Sequence, residues 1–243
     1  MALKLLQLGG RAVRRSFSQR SAPFIADKLQ EEGMNEMCLV VDENDRVLGH
    51  ANKRECHLVK PNGDIPLHRA FSVFIFNSNN EMLLQKRSAS KVTFPGYVSN
   101  ACCSHPLHEF REETVETNAS GVKMAAGRRL EYELGIPRIH TQPASLHYLT
   151  RIHYKSVGDG TWGEHEIDYI LVLHKDLPIV PNANEVSDVY YVGQNELPAF
   201  LDTLDAPLTP WFASILKSEK LHHWWNNLHR LDSVVEHDKI HKL

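Results

Sequence analysis

The chain has 243 residues, 42% of them hydrophobic, with 27 lysines and arginines against 30 aspartates and glutamates and a net charge of −3. That length suits one generous domain, or a domain with tails, and can bury a substantial core. The slight negative charge argues against nonspecific nucleic-acid binding as the main role, and no apolar run approaches the ~20 residues that cross a bilayer.

About the first 25 residues stand apart. "MALKLLQLGGRAVRRSFSQRSAPFIA" carries Lys4, Arg11, Arg14, Arg15 and Arg20 and no acid before Asp27. This is the composition of a mitochondrial transit peptide, and "RRSFSQ" has the look of a processing site; a disordered basic tail is the plainer alternative. The chain ends in "HKL", similar to a peroxisomal tripeptide but with His in place of Ser. The expected location is therefore mitochondrial, with the peroxisome competing and the cytosol left if neither signal acts.

"MCLVVDENDRVLGHANK" (37–53) reads as strand, turn and strand, with "DEND" turning. "HRAFSVFIFNSNNEMLLQKRS" (68–88) repeats the pattern around "NSNN". An irregular Gly/Pro stretch follows, then "NACCSHP" and a polar acidic stretch over 107–117. In "NASGVKMAAGRRLEYELG" (118–135), Val122, Ala126, Leu130 and Leu134 recur every four residues and Gly135 stands at a C-cap position, which predicts a helix. "SLHYLTRIHYK" and "WGEHEIDYILVLHK" read as two strands joined by "SVGDG". "LTPWFASILKSEKLHHWWNNLHRLDSVVEH" is expected to close the chain as helix. Strands and helices interleave without regular βαβ alternation, so a mixed sheet in a sandwich is predicted.

Several constellations could carry chemistry. The cysteines Cys38, Cys56, Cys102 and Cys103 show no CxxC spacing, which fits reduced thiols in a cell interior better than a disulfide scaffold. By spacing alone "NACCSHP" allows a metal ligand, a reactive thiol or an ordinary strand end. In "EHE", Glu164 and Glu166 share one strand face about 7 Å apart and His165 takes the other. Such carboxylates suit a cation or a proton between them, or a solvated face. His57, His68 and His105 lie in polar surroundings and are either transition-metal ligands or ordinary surface histidines. Over residues 53–91, Lys53, Arg54, Lys60, Arg69, Lys86, Arg87 and Lys91 outnumber Glu55, Asp64 and Glu81. That excess fits phosphate or a solubilising surface. Arg129 and Glu133 are spaced for an i,i+4 ion pair, or for a phosphate and a Mg²⁺.

"RRLEYELGI" resembles the end of the Nudix signature REUxEExGU (U aliphatic), with Arg129 and Tyr132 where two glutamates belong. "KRECHL", "PLHRAFSVFIFN", "LLQKRSASKVTFPGYVSNACCSHPL", "AAGRRLEYELGIP", "YLTRIHYKS", "WGEHEIDYILVL" and "LTPWF" occur in one order and spacing. Together they closely resemble type I isopentenyl-diphosphate Δ-isomerase of the animal and fungal kind, from about residue 34 to the C-terminus. The resemblance implies an α/β (α+β) fold, a Nudix-like mixed β-sheet sandwiched between helices with a C-terminal helical segment. It implies a single domain over 34–243 with a Nudix-like core near 66–216, acting as a monomer on a small diphosphate in isoprenoid and sterol-precursor biosynthesis.

The resemblance also implies site roles. Cys103 is the expected catalytic thiol. His57, His68, His105, Glu164 and Glu166 are expected to hold a transition-type divalent metal, Zn²⁺ or Mn²⁺. Glu166 doubles as the second proton-transfer group, assisted by the Tyr154 hydroxyl. Glu133 is expected to bind a Mg²⁺ that arrives with the diphosphate. Lys53, Arg87, Lys91, Ser104 and Arg129 are expected to hold the substrate, and Trp211 to wall the alkene. A Nudix pyrophosphohydrolase is the alternative, weakened by the missing signature glutamates. Cys102, alternating with Cys103, is expected to be a small packing residue.

Overall fold

A computed structural model describes residues 27–243; the basic leader read as a targeting segment lies outside the described residues. Helix α1 (Lys28–Gly33) precedes a hairpin, β1 (Met37–Val41) and β2 (Val47–Asn52), and a one-turn helix α2 (Lys53–His57). Strands β3 (His68–Phe76), β4 (Met82–Arg87), β5 (Val98–Asn100) and β6 (Cys102–Ser104) lead to helix α3 (Ser120–Leu134). Then come β7 (His147–Ser156), β8 (Glu164–His174), β9 (Val186–Val192) and helices α4 (Leu197–Thr203), α5 (Pro210–Lys217) and α6 (Lys220–Trp225), with β10 (Ile240–Lys242) last. None of the helices among the described residues is long and apolar enough to cross a membrane.

Strand β3 is the spine, because all nine of its residues are buried. Such a run is what a strand covered on both faces requires. It pairs in parallel with β8 from His68↔Glu166 to Phe76↔His174, and antiparallel with β6 through Ser72↔Cys103. The sheet runs β10-β7-β8-β3-β1-β2, while β4, β5 and β9 branch from it. Alternation along the strands separates two cores. Phe71, Val73, Ile75, Tyr169 and Leu171 join Cys102 and the apolar side of α3 on one face. Phe74, Phe76, Ile170 and Val172 meet Trp211, Phe212, Trp224 and Trp225 on the other. The predicted sandwich is present, and Cys102 packs in it as expected.

The predicted helix over 118–135 forms as α3, shortened by two residues because Asn118 and Ala119 are left-handed. Gly135 ends it with φ 64°, its N–H reaching Glu131 O while Ile136 N–H returns to Leu130 O. The hairpin over 147–174 also forms, in antiparallel register with Tyr154 opposite Glu166. Two expectations are corrected. The "NSNN" turn exists, but β3 and β4 pair only at Phe76↔Met82. Both edges of β3 are taken by β8, β6 and β1, so β4 peels away to pair with β5 and β9. The C-terminal segment is not one helix. It breaks at left-handed Glu219 into α5 and α6, continues in a 3-10 turn and ends as β10, parallel to β7. A straight helix over 210–236 would span ~40 Å and carry its last apolar turns past the sheet.

The "DEND" turn is anchored inward. Asp45, left-handed and 5% exposed, accepts from Arg69 Nε at 2.8 Å, Arg151 Nη1 at 3.1 Å and the Tyr169 hydroxyl. Three donors on one carboxylate fix the hairpin to β3, β7 and β8.

Gly163 joins the α2 turn to the start of β8, its N–H donating to His57 O at 2.8 Å. A Cβ there would lie 2.5 Å from Ser156 O and 2.6 Å from Ile65 Cδ1. Gly163→Ala is expected to lower stability by about 1–3 kcal/mol through overpacking, read as a reduced urea midpoint at unchanged slope.

Candidate active site

Three adjacent strands place His68, Glu166 and Tyr154 in one row. His68 and Glu166 are partners in the parallel β3–β8 register, and Tyr154 and Glu166 in the antiparallel β7–β8 register. Glu166 Oε1 lies 2.9 Å from His105 Nε2, 3.3 Å from His68 Nε2 and 4.0 Å from His57 Nε2. Its other oxygen, Oε2, accepts from the Tyr154 hydroxyl. His57 comes from the end of α2 and His105 from just after β6. All four residues are buried, and their ligand atoms lie within 4.8 Å of one another.

The histidine tautomers follow from their partners. His57 Nδ1 is 2.7 Å from Lys53 O and His68 Nδ1 is 2.9 Å from Pro66 O. A carbonyl only accepts, so each Nδ1 carries a hydrogen and each Nε2 faces inward, as a lone pair whenever the ring is neutral. This is the arrangement that metal-bound histidines adopt. Burial and the nearby His68 and Lys53 push His57 down to about 3, so it is a neutral ring. Burial also holds His105 well below the usual range. Burial opposes charge on His68 as well, but contact with Glu166 overrides it and raises the ring to about 9. Burial disfavours a charged Glu166, yet the hydrogen bond with His105 and the adjoining His68 hold it low. Burial and the Glu166 charge drive Glu164 up.

Two buried atoms, His68 Nε2 and Glu164 Oε2, have no hydrogen-bond partner. Glu164 Oε2 is 3.0 Å from His57 Nε2 without bonding to it. Orphaned acceptors that converge in a dry site fit a cation. Three imidazoles with carboxylate are a donor set for a divalent transition metal. His57, His68, His105 and Glu166 form the cluster, and Glu164 adjoins it through His57.

The cleft beside the cluster is lined by Lys53, His57, Arg87, Lys91, Thr93, Cys103, Ser104, His105, Tyr154, Glu164, Glu166 and Trp211. Cys103 is half-buried. Its thiol donates to Asn100 Oδ1 at 3.1 Å and lies 3.3 Å from Ser72 Oγ. Burial and the neighbouring Asp168 raise it, so it is a neutral thiol. Trp211 Nε1 donates to Ser99 Oγ at 3.0 Å and Asn100 Oδ1 at 3.1 Å, which fixes the indole as a wall.

The expected diphosphate residues divide between two cavities. Lys53 and Lys91 line both the cleft and a neighbouring cavity, which Arg129 and Glu185 also line. Arg87 is held by the 88–97 loop through Phe94 O and Thr93 O and lies 5.8 Å over Trp211. Lys91 is pushed down to about 8 by burial, although Glu185 is 2.5 Å away. Glu133 lines neither cavity; it accepts from Arg129 Nη2 at 2.7 Å and Gln85 Nε2 at 3.3 Å. The i,i+4 pair of Arg129 and Glu133 is thus formed.

Sequence reasoning missed Glu185, which bridges Lys91 and Arg129. No spacing signal marks it. It also missed Asn100, Ser72 and Asp168 around the thiol. Asp168 had a signal, since residues 164, 166 and 168 alternate onto one strand face.

A NUDIX domain model matches residues 66–212. The chain is 48% identical over 220 residues to isopentenyl-diphosphate Delta-isomerase 1 of Mesocricetus auratus, covering 89% of this chain and 96% of that one. It is 46% identical over 227 residues to an isopentenyl-diphosphate delta-isomerase of Gibberella zeae, covering 92% and 89%. Among solved structures, DR0079 from Deinococcus radiodurans superposes with a TM-score of 0.52 at 17% identity, over 75% of this chain and 98% of that one. That last likeness concerns the fold.

A divalent transition metal added to the metal-free protein is expected to raise its unfolding temperature, and chelation to reverse the rise. At 100-fold excess over Kd the stabilisation is about 2.7 kcal/mol. His68→Ala is expected to lose the shift; an equal shift in that variant would place the metal elsewhere.

Proposed function

This chain belongs to the isopentenyl-diphosphate Δ-isomerase family of Nudix-fold proteins, and from that membership we propose how its cleft moves a carbon–carbon double bond. The protein is an isomerase that interconverts isopentenyl and dimethylallyl diphosphate. The reacting part of the substrate is a plain alkene, with no carbonyl to stabilise a carbanion. Protonation of the terminal carbon gives a tertiary carbocation, and loss of a different proton from the neighbouring carbon gives the product. This route needs a proton donor on one side of the carbon plane and an acceptor on the other.

Cys103 and the Tyr154–Glu166 pair fill those two roles. The observation that carries the reading is that both face one cleft although they come from different strands, β6 on one side and β7 and β8 on the other. Glu166 accepts the Tyr154 hydroxyl hydrogen at Oε2, which is where a proton would pass between this pair and the substrate. Burial keeps that hydroxyl protonated. Trp211 presents its ring to the cation, an attraction of ~2 kcal/mol when water is excluded. Water must be kept out, since it would trap the cation as an alcohol.

His57, His68, His105, Glu164 and Glu166 would hold one divalent metal, Zn²⁺ or Mn²⁺ by donor type. When bound, it would fix Glu166 and tune its proton affinity. Lys53, Arg87, Lys91, Ser104 and Arg129 would bind the diphosphate. Its oxygens, with the carboxylate of Glu133, make a donor set that suits Mg²⁺. A diphosphate is also the group that would release Lys91 and Arg129 from their acidic partners. A pyrophosphohydrolase reading is weaker, because Arg129 and Tyr132 replace signature glutamates. A single small substrate fits a monomer. The basic leader would direct the chain to mitochondria.

Cys103→Ala and Glu166→Gln are each expected to reduce isomerisation at least about 10³-fold with the fold retained, in line with loss of a proton-transfer group. Deuterium incorporation into isopentenyl diphosphate in D₂O reads the step directly. Full exchange by Cys103→Ala would remove the thiol from the mechanism.

A further inference from the structure

Ser72 and Asp168 are out of place in a hydrophobic sheet. Ser72 sits in the middle of β3 with both neighbours, Phe71 and Val73, fully buried, and is itself 1% exposed. Asp168 is 1% exposed in β8. Among the described residues no cation lies against it: its hydrogen-bond partner is Ser72, whose Oγ is 2.7 Å from Oδ2, and Oδ1 has none. Burying a carboxyl with one oxygen unpartnered carries a desolvation cost that an aliphatic residue would avoid. Stability of the sheet therefore does not account for the pair.

Their position relative to the thiol does. Ser72 is the register partner of Cys103 across β3 and β6, and its Oγ is 3.3 Å from Cys103 Sγ. Neither Ser72 nor Asp168 lines the cleft. The Ser72 hydroxyl donates to Asp168 Oδ2, and this leaves a Ser72 lone pair facing sulfur. The second contact of the thiol is oriented the same way. Asn100 Nδ2 donates to Val73 O at 3.0 Å and Cys102 O at 3.3 Å, so its Oδ1 is the atom turned to sulfur. Two fixed acceptors, on β3 and at the end of β5, leave the S–H bond little freedom to rotate.

We propose that Ser72 and Asp168 are positioning residues for Cys103: the carboxyl orients the serine hydroxyl, and the serine fixes the side chain and S–H direction of the thiol against the alkene. The inference rests on the reading of Cys103 as a proton-transfer group. Misplacement of a reacting group by about 1 Å costs on the order of 10²-fold in rate, which sets the size of the effect.

The test uses the full chain loaded with its divalent metals and four variants: Ser72→Ala, Ser72→Thr, Asp168→Leu and the Ser72→Ala/Asp168→Leu double variant. Ser72→Ala is expected to lower kcat by about 10- to 100-fold with KM for isopentenyl diphosphate within about twofold, because the diphosphate contacts are untouched. Ser72→Thr, which keeps the hydroxyl, is expected to return kcat to within about fivefold of native. Asp168→Leu is expected to match Ser72→Ala, and the double variant to be no worse than Ser72→Ala alone, since the two act through one chain of hydrogen bonds. The rate of Cys103 alkylation by iodoacetamide, located by mass spectrometry, is expected to change in Ser72→Ala without any substrate present. Native kcat and native alkylation in Ser72→Ala overturn the assignment and leave the role of Cys103 standing. Fully additive losses in the double variant overturn it too, because they show two independent packing defects. Native activity in Cys103→Ala overturns both readings.

Discussion

The site depends on one carboxylate held from two sides. Glu166 gives one oxygen to three imidazoles and the other to a phenol. Its neighbours across the sheet, His68 and Tyr154, are set by backbone register rather than by loops. A slip of one residue in either pairing would turn a partner to the opposite face. The continuous burial of β3 and the long pairing of β7 with β8 are therefore conditions of the chemistry as well as of the fold.

The same constraint explains why so many ionisable groups are buried in one region. An isolated buried charge is too costly to persist, but a group of them is tolerated when each has a partner. Lys91 and Arg129 share Glu185, Arg129 also holds Glu133, and Arg128 ties Glu113 to the carbonyl of His105. These pairs keep cations aimed at the place where a diphosphate would sit, so little ordering is left for binding to do. They also link α3, on one face of the sheet, to the cleft on the other.

Much of this was legible in the sequence where the signal is local. The period of two in β7 and β8 gave the face shared by Glu164 and Glu166, and the spacing in "NACCSHP" separated packing Cys102 from cleft-lining Cys103. The ordered motifs named the histidines and glutamates that cluster in the site and the cations beside them. What was hidden depends on which strands meet. Nothing near Ser72 says that Cys103 will be its partner, and nothing near Glu185 says that Lys91, 94 residues earlier, will reach it. The hairpin over 68–88 failed for the same reason: turn residues dictate a turn, but competition for the edges of β3 decides pairing. In the C-terminal segment, helical periodicity was read correctly over short pieces, while the need to lay Trp211, Phe212, Trp224 and Trp225 on one sheet face broke it into segments.

The sheet also sets the distance between the two proton-handling groups. Cys103 stands on β6 beside Ser72 and Glu166 on β8 beside His68, so two strand spacings of ~4.8 Å and an offset of four residues along β3 separate their backbones. Both side chains come from the face covered by α5 and α6, where Trp211 closes the space between them. Proton transfer to opposite sides of one carbon plane needs donor and acceptor that cannot approach each other, and a third strand wedged between their own strands keeps them apart. The spine strand, whose own Ser72 and His68 touch each group in turn, is thus spacer and support at once.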